Sequence, residues 1–137
     1  MLKPHKPLIF VDSNVLIEGL LADYATAKAV VVFARHKKIK LVTCEQVIVD
    51  IETELIDKTS LYKEFSGILH CWEEMKEKIY LSIVPDPPEA EVLAVNKMYL
   101  PLMRHQADIP ILTAALIMKP QPDFILSGNR KHLMPPN

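Results

Sequence analysis

Leu8-Ile9-Phe10-Val11 is a short unbroken apolar run, the pattern of a strand buried on both faces of a parallel sheet. It stops at Asp12-Ser13-Asn14, residue types that cap helices. Apolar positions then recur at helical spacing from Val15 to Leu21. Asp23 reads as the cap of a second helix running to about Lys37, with Ala25, Ala29, Val32 and Phe33 inward. Ile39 to Thr43 reads as the second strand. A helix is expected from about Glu45 to Lys58, with Val47, Ile48, Ile51 and Leu55 in one stripe and Val49 and Ile56 outward; Thr59 and Ser60 are expected to interrupt it. A fourth helix is expected from Leu61 to about Lys78, its charged end a solvated face. Ile79 to Val84 reads as a third strand, ended by Pro85-Asp86-Pro87-Pro88. Helices over Glu89–Leu100 and Ile109–Met118 precede a fourth strand, Asp123 to Leu126.

Strands alternating with one or two helices imply right-handed crossovers and a mainly parallel sheet covered on both faces. No linker, repeat or low-complexity tract divides the chain, and 137 residues suit one domain with its core at about 8–133. Sixteen basic against seventeen acidic residues leave a net charge of −1, so no global basic field announces nucleic acid. Two cysteines, Cys44 and Cys71, are too few for a disulfide-stapled secreted domain. The apolar run near the N-terminus is too short for a signal peptide or membrane span. A soluble, cytoplasmic protein is the expectation.

In such sheets ligands bind beyond the carboxyl ends of the strands. The glycines are too scattered for a dinucleotide fingerprint or a P-loop, and no nucleophile elbow is present. What remains is a set of carboxylates. Asp12 ends the first strand, Asp50 lies on the helix after the second, Asp108 begins a late helix, and Ser127-Gly128-Asn129 follows the fourth strand. Converging at one sheet edge, three carboxylates and an amide would need a cation to offset their repulsion. Oxygen-only ligands suit Mg²⁺ or Mn²⁺, which support phosphodiester hydrolysis.

These segments carry a family resemblance. Ile9 to Leu16 resembles the opening strand and first acid of PIN-domain nucleases, and Val47-Ile48-Val49-Asp50-Ile51 their second acidic segment. Asp108 to Ala115 resembles the third, and Phe124 to Leu133 the final strand with its hydroxyl–Gly–acid turn. The resemblance spans about Leu8 to Leu133 in the family's order. It implies a three-layer α/β/α domain with a four- to five-stranded sheet, and a Mg²⁺- or Mn²⁺-dependent endoribonuclease acting on single-stranded RNA. It also implies a VapC-like toxin neutralised by an antitoxin and commonly a homodimer. By the same resemblance, Asp12, Asp50 and Asp108 would hold the metal, with Asn129 as a supporting catalytic group. Three departures stand out. Asp50 takes a position where Glu is commoner, Asn129 replaces the commoner Asp, and the chain ends at Pro135-Pro136-Asn137 where many relatives add an edge strand.

Each residue also has a plainer role. Asp12 and Asp108 suit helix caps, and Asn129 suits a turn. Glu54 shares Asp50's flank of the helix and Glu52 lies on the other, so either is an alternative second acid. Asp86 is a competing third acid in a turn-like setting. Ser13, Asn14 and Ser127 are candidates to orient water or phosphate, and Arg130 and Lys131 to hold RNA phosphates. Cys44 sits at a helix start, where a thiol pKa is lowered, yet it has no partner base. A module that binds RNA or a protein with little catalysis is the alternative, motivated by Asn129.

Overall fold

The computed structural model describes residues 6–21, 25–61, 67–99 and 109–127. Among them, four strands and six helices follow the order β1 (Leu8–Val11), α1 (Ser13–Leu21), α2 (Ala25–Arg35), β2 (Lys40–Cys44), α3 (Glu45–Leu61), α4 (Ile68–Lys78), β3 (Ser82–Val84), α5 (Glu89–Tyr99), α6 (Ile109–Ile117) and β4 (Phe124–Leu126). The sheet runs β3-β2-β1-β4, every pair parallel. The chain steps from β1 to β2 to β3 in one direction, then crosses back to place β4 on β1's other side. Right-handed crossovers therefore put α1–α4 on one face and α5–α6 on the other. The result is a three-layer α/β/α arrangement with a topological switch between β1 and β4.

The core forms where the apolar strand runs meet the helix stripes. Phe10, Val11, Leu41 and Val42 are buried in the central strands, against Leu16, Val47, Ile51, Leu55 and Trp72 from the helices. Trp72 is wholly buried, with its indole N–H donating to Glu52 at 3.3 Å. Lys76 lies over that ring and reaches the same carboxylate at 3.5 Å. The charged end of α4 is thus partly recruited to cover the core rather than being purely solvated.

The α2 phase differs from expectation. Ala27, Val30, Val31 and Ala34 face inward, while Val32 and Phe33 are exposed. The close crossing with α1 sets this phase. A Cβ on Gly19 would stand 2.8 Å from Val31 Cγ2, so the two helices meet at that glycine. Thr59 and Ser60 do not break α3, which continues to Leu61.

Helices α2 and α4 end alike. Lys38 N–H donates to Phe33 O at 2.9 Å and Lys37 N–H to Ala34 O at 3.0 Å. Leu81 N–H donates to Lys76 O at 3.3 Å and Tyr80 N–H to Glu77 O at 3.2 Å. Both are Schellman motifs, which place the residue after the cap in the left-handed region. Here that residue is Lys37 (φ 58°) and Tyr80 (φ 53°), where glycine is usual. Tyr80's conformation and Ile79's place as the helix cap explain why β3 begins at Ser82 rather than at Ile79.

Candidate functional site

The parallel sheet collects Asp12, Glu45, Pro85-Asp86 and Ser127 just beyond the carboxyl ends of its four strands. Asp12 occupies the switch point, the position at which ligand crevices open in sheets of this kind. Its backbone is pinned from both sides. Asp12 N–H donates to Leu126 O at 3.2 Å. The buried Thr43 hydroxyl donates to Val11 O at 2.8 Å, holding the last carbonyl of β1.

The Asp12 side chain is half-buried. Its Oδ1 accepts Val15 N–H at 3.1 Å, the cap geometry read from the sequence. Its Oδ2 accepts the Ser127 hydroxyl across the switch point. A half-buried carboxylate is thereby fixed at the switch point, one oxygen engaged by its own helix and the other by the residue after the last strand. Ser13 and Asn14, the first residues of α1, are half-buried beside it.

Asp50 is held elsewhere. It is exposed on α3, and its Oδ1 accepts the Gln46 side-chain amide at 2.8 Å. Gln46 N–H donates in turn to Asp86 Oδ1 at 2.8 Å, and Asp86 N–H donates to Glu45 Oε1 at 3.2 Å. Asp86 therefore caps α3 from a separate strand end, and Glu45, Gln46, Asp50 and Asp86 form one chain of polar contacts. Sequence reasoning missed Glu45 and Gln46. Their only signal is position, directly after a strand. Glu52 faces α4 through Trp72 and Lys76, away from this chain.

Cys44 is inert, as its lack of a partner base suggests, but the helix start does not lower its pKa. It stands at the α3 N-terminus, where the N–H groups of Val47 and Gln46 favour the thiolate. Burial outweighs them and, with Asp86 nearby, pushes the thiol above its ordinary range. It is a core residue, not a nucleophile.

The structure thus brings together Asp12, Ser127 and the start of α1, and places Asp50 in a neighbouring network. Asp108, Asn129, Arg130 and Lys131 lie outside the described residues. Among the described residues, no three His, Cys, Asp or Glu side chains are grouped to hold a metal ion. None of the described helices is long and apolar enough to cross a membrane.

The fold and the switch-point acid define a doubly covered parallel α/β domain with polar residues gathered at its carboxyl edge. No protein-family model matches the chain, and neither does any curated protein. Among solved structures, the chain is similar to the crystal structure of PAE2754 from Pyrobaculum aerophilum. The TM-score is 0.64 at 15% identity, covering 92% of this chain and 77% of that one. At that identity the likeness extends to the fold alone.

Proposed function

We propose that the chain is a PIN-like, Mg²⁺- or Mn²⁺-dependent endoribonuclease acting on single-stranded RNA. The observation that carries this reading is Asp12, fixed at the switch point by its own helix and by Ser127. An acid so placed is preorganised for a site at the sheet edge, and the family motifs run in order from it to Leu133. Asp12 and Ser127 present oxygens at this sheet edge, which fit a hard cation. Asp12, with Asp50 and Asp108, would hold the ion, and Asn129 would support it. When bound, the ion supplies stabilisation of the charge that develops on the phosphodiester. The chain's own part is to hold Asp12 rigid, orient the Ser127 hydroxyl beside it, and bind RNA phosphates through Arg130 and Lys131.

A toxin role with a bound antitoxin, and a homodimer, belong to the same proposal. Their support is the exposed apolar surface of Val49 (55%) and Ile56 (51%) on α3. Asn129 favours a second reading, a module that binds RNA with little cleavage, because it removes a negative charge from the ligand set.

The test is cleavage of a mixed single-stranded RNA panel by wild type and Asp12→Asn, each with Mn²⁺, Mg²⁺ or EDTA. Metal-dependent cutting that falls by at least about 100-fold in the variant is expected. Equal cutting by both proteins refutes the assignment. RNA binding without cutting by folded, antitoxin-free wild type selects the second reading.

A further inference from the structure

The opposite end of the sheet carries a cleft that the proposed activity does not use. It has a volume of about 380 Å³ and lies where the N-terminal ends of β1, β2 and β3 meet the ends of α2 and α4. Its floor is apolar, from Leu8, Ala34, Ile39 and Ile79. Lys6, Lys37, Lys40 and Tyr80 also line it, and among the described residues no carboxylate does. That size, with an apolar floor and few convergent charges, is characteristic of small-ligand sites.

Backbone conformation gives a second, independent observation. Among the described residues, Lys37 and Tyr80 are the non-glycine residues with positive φ, and both line this cleft. They occupy equivalent positions in two Schellman motifs, where glycine is the least strained choice. The chain accepts strain twice, at one place, and what it gains there are two side chains. Lys37 Nζ lies 5.1 Å from the centroid of the Tyr80 ring, and Tyr80 is 61% exposed. Strained residues held at a cleft are a mark of ligand clamps.

We propose that this cleft binds a mononucleotide, its base on the apolar floor beside Tyr80 and its phosphate among Lys6, Lys37 and Lys40. Phosphate alone would leave the floor and ring unused, and an uncharged nucleoside would leave three like charges unneutralised. The proposal does not rest on the ribonuclease reading, since the cleft and Asp12 lie at opposite ends of the strands.

The test is calorimetric titration of the full chain with adenosine and uridine 5′-monophosphates, with adenosine, uridine and inorganic phosphate as separate arms. At least one monophosphate should bind, and its separate parts should bind about tenfold or more weakly. Lys37→Gly and Tyr80→Gly relieve backbone strain, so each should fold with a Tm at or above wild type. Each should also lose about tenfold or more in affinity. Asp12→Asn should bind as wild type does. The proposal is overturned if neither monophosphate binds, if inorganic phosphate binds as tightly as they do, or if both glycine variants retain wild-type affinity.

Discussion

Gly19 offers a sharp test of how the helical layer is assembled. In an exposed helix, Gly→Ala is stabilising by about 0.5–1 kcal/mol through backbone entropy. Here the added Cβ would stand 2.8 Å from Val31 Cγ2 and 3.3 Å from the Ala27 carbonyl oxygen. The first contact is shorter than real Cβ atoms tolerate. Val31 is buried and β-branched, so its methyl has one favoured helical rotamer and cannot swing aside cheaply. The Ala27 oxygen is backbone and moves only with α2. Overpacking of this kind costs about 1–3 kcal/mol, which exceeds the propensity gain. Gly19→Ala should therefore lose about 1 kcal/mol, a Tm drop of roughly 3–5 °C. Urea denaturation should show a lower midpoint at unchanged slope. Val31→Ala in the same background should remove most of the added cost, a coupling that independent sites would not show. Gly19→Ala with stability equal to or above wild type would refute the reasoning and place the α1–α2 crossing farther apart.

Two further perturbations follow from buried groups. Thr43→Val keeps the shape but leaves Val11 O without the hydroxyl's hydrogen bond, and should cost about 1–3 kcal/mol in urea denaturation. Thr43→Ser should recover part of the loss. Iodoacetamide at mildly alkaline pH should label exposed Cys71 and leave buried Cys44 unmodified until denaturant is added; mass spectrometry of the peptides decides it. Because the folded Cys44 thiol is raised, the native state keeps its proton while the unfolded chain loses it. Stability should fall as pH rises above the ordinary thiol value toward the raised one, with no such effect below that window. An alkaline slope that is the same in Cys44→Ala as in wild type would contradict this.

The strands and the switch-point acid were legible because each rests on a local signal. Leu8–Val11 is too apolar for anything but a buried strand, and Asp12 is a cap residue directly after it. The α2 phase is misread from the sequence, because five consecutive apolar residues, Ala29 to Phe33, leave several adjacent faces open as the inner one, and only Lys28 and Arg35 mark the outer side. What orients it is Gly19, on a different helix. Ile79-Tyr80-Leu81 has strong β propensity, yet the two bonds closing the end of α4 hold Tyr80 in a left-handed turn. The Asp86 cap of α3 joins residues 40 positions apart, and nothing near Gln46 announces it. Cys44 shows the same limit in electrostatics. Helix position predicts a lowered thiol pKa, while burial depends on the whole core and wins.

The identity of the second acid is where this limit bears most directly on function. Three carboxylates on α3 compete, and the helix separates them. Glu52 is spoken for by Trp72 and Lys76 on the α4 side. Glu54 shares Asp50's flank, but at 1.5 Å per residue it lies about 6 Å farther along the helix from the strand ends. Asp86 ends β3, two strands from β1, roughly 10 Å at ordinary strand spacing. Of the α3 candidates Asp50 is the one closest along the helix to the carboxyl end of β2, and Gln46 restrains it. On the proposed ribonuclease reading, Asp50→Asn should lower metal-dependent cleavage by at least about tenfold, while Glu54→Gln and Glu52→Gln should stay within about threefold of wild type. Gln46→Ala should fall between them by loosening Asp50 while leaving its charge. If Glu54→Gln abolishes cleavage and Asp50→Asn does not, α3 must present its third turn to the substrate. The Asp50–Gln46–Asp86 chain would then serve only to anchor the helix.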